Sequence, residues 1–260
     1  MSIKISIITV TYNSAATVRD TIESVLLQDY DNLEYVVVDG GSRDETVDII
    51  RANESRFGGR MRWISEPDKG LYDAMNKGIR MATGDVVAVL NSDDFYHRGD
   101  VISRVAAAFD DKDVEAVYGD LVFVSSDNLD KVTRYYSSKA FRPDKFRYGF
   151  MPAHPTFFAY KRLFEQYGYY DTSFGIAADF DLLVRFLYTN GVRTRYLPFV
   201  FMKMRSGGIS TTLRNKLKMN REIIRACRKN GIHTNCFFIV YKYIVKIFDL
   251  LLRKRSNTDL

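Results

Sequence analysis

The chain has 260 residues, 46% of them hydrophobic and 27% charged, with two cysteines and a net charge of +6. Such values fit one substantial α/β domain or two small ones and exclude a disordered chain, a collagen-like repeat and a disulfide scaffold. The charge is lopsided: from Lys203 onward 14 bases face three acids, while residues 1–202 carry 24 bases and 29 acids, so only the tail seeks an anionic surface.

The N-terminus runs directly into a β-branched stretch with no basic region or small-residue cleavage site, so no signal peptide is expected. Residues 6–11 read as a buried strand. Asn13 or Ser14 then offers a cap for a helix whose apolar face is Val18, Ile22, Val25 and Leu26. A second strand over residues 34–39 ends in Asp39, and Ser42 with Glu45 three positions later has the form of a capping box for the next helix. Residues 61–65 predict a third strand, followed by Asp68-Lys69-Gly70 and a helix through Leu71, Met75 and Ile79. The fourth strand, residues 86–90, runs into Asn91-Ser92-Asp93-Asp94.

Strand–helix alternation of this kind predicts a mostly parallel sheet flanked by helices, with ligands bound beyond the carboxyl ends of the strands. Those ends carry Thr11, Tyr12, Asn13, Asp39, Asp68, Lys69, Asn91, Ser92, Asp93 and Asp94. Hard oxygen ligands such as Asp93, with Asp94 as a second candidate, suit Mn²⁺ or Mg²⁺, which neutralises charge developing on a departing diphosphate. Asp39 offers an acceptor to a base or ribose, and Lys69 a cation to phosphate. An acidic turn that only caps the next helix is the plainer alternative for Asn91-Ser92-Asp93-Asp94, and the companion residues at neighbouring strand ends weigh against it.

Beyond residue 114 the alternation loosens. Residues 114–118 and 121–125 pair as a hairpin across Gly119-Asp120 in this reading. A helix spans residues 178–188, and strands cover 194–197 and 200–204.

The ordered motifs Thr9-Val10-Thr11-Tyr12-Asn13, Val38-Asp39-Gly40-Gly41-Ser42-Arg43-Asp44, Asp68-Lys69-Gly70-Leu71-Tyr72-Asp73-Ala74-Met75-Asn76, Asn91-Ser92-Asp93-Asp94 and Ala177-Ala178-Asp179 resemble those of family 2 glycosyltransferases with the GT-A fold, over roughly residues 3–210. The branch they most resemble builds bacterial O-antigen and other surface polysaccharides. The resemblance implies a nucleotide-sugar half over about 1–112, an acceptor half over about 113–210 and a basic helical extension over 211–260. It implies a nucleotide-sugar donor, with UDP the family's commonest carrier, a lipid-linked saccharide acceptor, and inversion by single displacement. Asp39 would contact the base, with Thr11, Tyr12 and Asn13 lining the pocket. Asp93 would match the last carboxylate of an Asp-x-Asp motif that here begins with Asn91. Asp179 would be the general base, with Ala178 where the family's Glu-Asp pair has Glu. His154 lies in a segment resembling one that faces the acceptor or the metal, although a lone histidine among aromatics is as often a packed core residue.

An acceptor hydroxyl is a weak nucleophile, so a positioned carboxylate is needed whatever the name. Gly207-Gly208-Ile209-Ser210 is read as a loop closing over the donor or a plain turn. In the tail, Lys242, Lys246, Asp249 and Arg253 fall on one helical face of an apolar run that ends in Arg253-Lys254-Arg255. Self-packing, pairing in a homodimer and a bilayer interface are all open for this run, and the narrow polar stripe favours the interface. A cytoplasmic enzyme held peripherally on the inner membrane face is the expectation. Among rivals, an oxidoreductase lacks its glycine fingerprint after the first strand. A nucleic-acid binder is disfavoured by the acidic body, and a sugar nucleotidyltransferase or a non-enzymatic nucleotide-binding module remains open.

Overall fold

Four parallel strands form the core of the sheet: β1 (Ile5–Thr11), β2 (Leu33–Asp39), β3 (Met61–Ser65) and β4 (Val86–Val89). The computed structural model describes residues 2–206 and 213–241. Strand order is β3-β2-β1-β4, so the chain steps outward from β1 on one side and then returns to its other side at β4. In open α/β sheets ligands bind at such a reversal, which here lies beyond the carboxyl ends of β1 and β4.

Alternation along β1 explains its two buried faces. Ile8 and Val10 join one hydrophobic cluster with α3 (Leu71–Met81), while Ile5 and Ile7 join the other, with α1 (Val18–Leu26), α2 (Thr46–Glu54) and α4 (Val101–Ala108). On α1 the predicted face holds, with Val18, Ile22 and Val25 buried. Gly78 lets α3 lie close on the sheet, since a Cβ there would stand 2.3 Å from Ile8 Cγ2.

Several local readings are corrected. Neither Asn13 nor Ser14 caps α1 with its side chain; Thr17 precedes the helix, and the Ser14 carbonyl accepts from Val18 N–H at 2.9 Å. The Ser42–Glu45 capping box does not form, because the Ser42 hydroxyl is drawn to Asp39 instead. Residues 114–125 form no hairpin: Ala116–Val124 is a single strand, β6, irregular between Tyr118 and Leu121. Gly119-Asp120 looks like a turn, but Gly119 is needed for space. A Cβ there would lie 2.2 Å from the Phe201 ring.

The strand read in two pieces is one, β9 (Thr194–Arg205), parallel to β6 and antiparallel to the short β5 (Asp94–Tyr96), which the sequence reading missed. β7 (Val132–Tyr136) pairs with β6, and β8 (Phe158–Tyr160) bridges β6 and β4. The expected helix over 178–188 is α6 (Ala178–Leu183), continued as a wider π-helical turn, Val184–Thr189. Arg185 sits in that wide turn. Its guanidinium donates to Asp181 and to the carbonyls of Tyr167, Gly168 and Tyr169. A further helix, α5 (Lys161–Tyr167), precedes these.

The last long helix, α7 (Leu213–Lys229), packs on the body, with Ile223, Ala226 and Cys227 in the same cluster as α3 and α6. Residues 236–241 are helical. The Gly207–Ser210 loop and residues 242–255 of the tail lie outside the described residues.

Candidate active site

Thr11, Asp39 and Ser65 stand in register at the carboxyl edge of β1, β2 and β3. Asp39 is fully buried. One carboxylate oxygen accepts from Gly41 N–H at 3.1 Å, Ser42 N–H at 2.9 Å and the Ser65 hydroxyl at 2.6 Å, and the other accepts from the Ser42 hydroxyl. Hydrogen bonds continue from there. Asn13 N–H donates to Ser42 Oγ at 2.8 Å, the Asn13 side-chain oxygen accepts from Arg43 N–H at 2.9 Å, and Ser14 N–H donates to Thr46 Oγ1 at 2.8 Å. Asn13 holds this turn at φ 49°, a left-handed conformation that asparagine tolerates. The Ser92 hydroxyl then reaches Ser14 Oγ at 2.9 Å. Side chains and amides from all four strand tips therefore form one connected rim.

Tyr12 and Asp68 converge over the same glycine. A Cβ on Gly40 would stand 2.5 Å from Asp68 Oδ2 and 3.4 Å from the exposed Tyr12 ring. The other Asp68 oxygen accepts from Gly70 N–H at 2.8 Å, and Lys69 N–H donates to Asp73, which leaves the Lys69 side chain exposed at the rim.

At the β4 tip, Asp93 is exposed and Asp94 buried. Desolvation, followed by the Asp93 charge, pushes the Asp94 carboxyl well above the usual carboxylate range. One Asp94 oxygen, Asn91 Oδ1 and Thr11 Oγ1 are buried without hydrogen-bond partners among the described residues. Arg205 of β9 donates to the Asp93 carbonyl and to Asp20, and Thr21 donates to the Asp94 carbonyl at 2.7 Å.

Among the described residues no three His, Cys, Asp or Glu side chains gather as a closed metal cage. Oxygen donors suit a divalent cation that takes its other ligands from water and substrate phosphates, as Mg²⁺ usually does. An exposed carboxylate beside unpartnered buried oxygens fits that chemistry.

Asp179 lies in the first turn of α6, with Ala177 ahead of the helix. One of its oxygens accepts from Phe180 N–H at 2.8 Å, and the other stands 3.0 Å from His154 Nδ1. Both side chains are partly accessible, 25% for His154 and 13% for Asp179. The turn that carries His154, His154–Thr156, packs against β4, β6 and α6, and there His154 meets Asp179. Burial and then the Asp179 charge push the Tyr72 and Tyr170 hydroxyls up, which keeps both protonated at neutral pH. Their rings stack at 5.7 Å.

The loop leading into Asp179 is clamped from two sides. Tyr72 of α3 donates to the Ile176 carbonyl at 2.6 Å. From α7 the buried Glu222 accepts from Gly175 N–H at 3.0 Å, Ile176 N–H at 2.8 Å and Ala177 N–H at 2.9 Å. Sequence reasoning missed Glu222, and its only local signal is a lone acid within a basic helix. Nearby, the fully buried Asp181 accepts from Arg185 and Asn230, a structural role.

A four-stranded parallel core with β8 antiparallel beyond β4, and a polar rim at its switch point, define a GT-A-type transferase fold. Comparisons with known proteins agree. The family model "Glycosyl transferase family 2" matches residues 6–168, and the chain belongs to that family of glycosyltransferases. A PGL/p-HBAD biosynthesis glycosyltransferase of Mycobacterium bovis is 33% identical over 218 residues, 83% of this chain and 82% of the relative. An uncharacterized glycosyltransferase of Mycobacterium tuberculosis is 35% identical over 185 residues, 70% of this chain and 68% of the relative. In fold the chain is similar to S. aureus TarS 1-349 in complex with UDP-GlcNAc, with a TM-score of 0.68 at 19% identity, covering 88% of this chain and 68% of that one. It is likewise similar to a mannosyltransferase from Pyrobaculum calidifontis in complex with GDP-Man and Mn²⁺, with a TM-score of 0.65 at 21% identity over 88% of this chain and 64% of that one.

Proposed function

We propose that the enzyme moves a sugar from a nucleotide-diphosphate donor, UDP-linked by preference, to a hydroxyl of a lipid-linked glycan, with inversion at the anomeric carbon and with a divalent metal. Tyr12, Asp39 and Asp68 receive the nucleoside, with Thr11, Asn13, Asn91 and Ser92 shaping the same crevice and Lys69 facing the phosphates. Asp39 keeps the Gly40–Ser42 loop in place with its protein hydrogen bonds and offers its remaining acceptor capacity to the base. Asp93, assisted by Asp94, would hold Mn²⁺ or Mg²⁺, which neutralises charge on the diphosphate. His154 serves Asp179 in this reading rather than the metal, because its Nδ1 faces that carboxylate.

In the transfer the acceptor oxygen bonds to the anomeric carbon as the bond from that carbon to the diphosphate oxygen breaks. The hydroxyl proton goes to Asp179 and the electron pair leaves with the nucleoside diphosphate. Asp179 is held for this by His154 and Phe180 N–H on its own side, and by Tyr72 and Glu222 through the loop before it.

The observation that carries the reading is the hydrogen-bonded rim joining Ser65, Asp39, Ser42, Asn13, Ser14 and Ser92 into one crevice. Support for the donor class comes from the UDP-GlcNAc and GDP-Man complexes of fold neighbours. Support for a glycan product comes from the mycobacterial relative, a glycosyltransferase of PGL/p-HBAD biosynthesis. No helix among the described residues is long and apolar enough to cross a membrane, so a lipid-linked acceptor would be met from the surface, through the basic C-terminal segment.

The test is a thermal-shift panel of nucleotide sugars with and without Mn²⁺, followed by product analysis. A donor binding only the folded state raises its melting temperature, and turnover should release a nucleoside diphosphate. Release of pyrophosphate, or no shift with any donor, would overturn the reading.

A further inference from the structure

α7 has two different faces. Inward, Glu222, Ile223, Ala226 and Cys227 pack on the body beside the Asp179 loop. Outward, Arg221, Arg225 and Arg228 repeat at the three- and four-residue spacing that aligns side chains along one helical stripe, with Lys229 beside them, while Lys218 turns to Glu222 at 3.9 Å. Arg221, Arg225, Arg228 and Lys229 line a cavity of about 690 Å³ whose apolar wall is Ile224 and Cys236.

Two of these cations are already committed. Arg225 donates to Ser173 and lies 4.4 Å over the Phe174 ring, and Lys229 pairs with Asp171 at 2.7 Å and with Asp181 at 3.4 Å. Arg221 and Arg228 are exposed and unpaired among the described residues, and no acid lines the cavity.

Large apolar side chains are exposed next to it. Phe237 is 85% exposed, Val240 53% and Tyr241 50%, all on the helical turn that begins at Cys236. That turn is fastened to the body by Phe238, which stacks edge-on with Tyr148 and lies 4.7 Å under the Arg147 guanidinium. The exposed aromatics therefore have a fixed place. A cavity in which Arg221 and Arg228 lack partners among the described residues, rimmed by exposed aromatic and aliphatic side chains, matches the phosphate-over-hydrocarbon layering of a bilayer surface. A nucleic acid would use the same cations but has no need of Phe237 and Val240.

We infer that the outer face of α7 is a docking site for anionic phospholipid headgroups, with a lipid phosphate seated between Arg221, Arg225, Arg228 and Lys229 and with Phe237, Val240 and Tyr241 entering the interface. This rests on the membrane-surface reading above and places the contact on described residues, independent of the segment beyond Tyr241. Because Glu222 borders this stripe on the same helix, one turn from Lys218, the docked enzyme has its Asp179 loop beside its lipid-bound face.

The experiment uses the full chain labelled with an environment-sensitive fluorophore at Cys236, which is exposed whereas Cys227 is buried. Vesicles of phosphatidylcholine alone and of phosphatidylcholine with phosphatidylglycerol are titrated, with co-sedimentation of unlabelled protein in parallel. The wild type should partition onto the anionic vesicles with a blue-shifted emission that salt reverses. Arg221→Ala/Arg228→Ala, which removes no described contact, should weaken partitioning on the order of 30-fold, at the usual contribution of one basic residue near such a surface. Phe237→Ser/Val240→Ser should abolish the blue shift.

Partitioning of the Arg221→Ala/Arg228→Ala variant equal to the wild type would overturn the groove while leaving membrane association intact. A wild type that ignores both vesicles would sink the membrane reading and the groove together. Retention by duplex DNA but not by vesicles would overturn both in favour of a nucleic-acid partner. Donor-driven thermal shifts, measured on the same samples, report on the transferase assignment separately.

Discussion

The donor rim and the acceptor mouth are built in opposite ways. At the rim, several turns are finished by residues a few positions away, as Asp39 binds Gly41 and Ser42, Asp44 binds Thr46, and Asp68 binds Gly70, and longer bonds such as Ser65 to Asp39 and Ser92 to Ser14 then join neighbouring tips. At the mouth, Asp179 is held by His154, 25 residues away, and its loop by Tyr72 and Glu222, 104 and 46 residues from Ile176 in the chain. A locally finished site tolerates changes elsewhere in the fold. A site assembled from remote helices fails whenever one of them shifts.

The largest expected effect breaks the mouth without touching the rim. Asp179→Asn should lower kcat by about 10²- to 10⁴-fold, the usual contribution of a general base. Calorimetric donor affinity should stay unchanged, and retained turnover would remove Asp179 from the role.

Glu222→Ala comes next, because it leaves three N–H groups without their acceptor. Of these only the Ala177 amide is fully buried, and a buried unsatisfied donor costs ~1–3 kcal/mol, so urea unfolding should show a loss of about that size. In Glu222→Gln, which keeps the shape and one oxygen, kcat should fall by about tenfold while the donor KM holds, since a 1 Å misplacement remote from the chemistry can cost even more. A fall in stability with unchanged kcat would make Glu222 merely structural.

At the rim, Asp39→Ala should act in the reverse sense, raising the donor KM more than it lowers kcat. It should cost ~2–3 kcal/mol through the freed Gly41 and Ser42 amides. If KM is unaffected, the base does not rest on this loop.

The smallest effect separates the frame from both sites. Buried Glu34 is destabilised as an anion by desolvation, yet hydrogen bonds from Ser6 at 2.5 Å and from Thr83 N–H at 2.7 Å outweigh that and lower its pKa from 4.5. A lowered carboxyl contributes stability above its unfolded value and loses it as pH falls through the folded one. The wild type should therefore exceed Glu34→Gln by ~1 kcal/mol at neutral pH, with the gap closing below pH about 4.5. A constant gap down to pH 3 would contradict this assignment.

The same contrast decides what was legible in the sequence. Strand ends announce themselves by a β-branched run meeting polar residues, so Thr11, Asp39 and the Asn91–Asp94 turn could be placed before any coordinates. Alternation gave the parallel core for the same reason. Glu222 is 43 residues past Asp179 and has no periodic partner, so only the packing of α7 brings it to the loop. Gly119-Asp120 misled because a turn dipeptide and a glycine making room for Phe201 look alike in one dimension. Ser42 misled because a buried carboxylate next door competed for its hydroxyl and won.

The Glu222 clamp also sets an order of assembly. Domains emerge from the ribosome N-terminal end first, so all four strand tips are available for pairing well before residue 222 is made. During that interval the amides of Gly175, Ile176 and Ala177 have no carboxylate to close on, and only Tyr72 and His154 fasten the loop carrying Asp179. On the proposed function, a chain ending before Glu222 would carry every residue of the donor rim yet lack the carboxylate that closes the Asp179 loop.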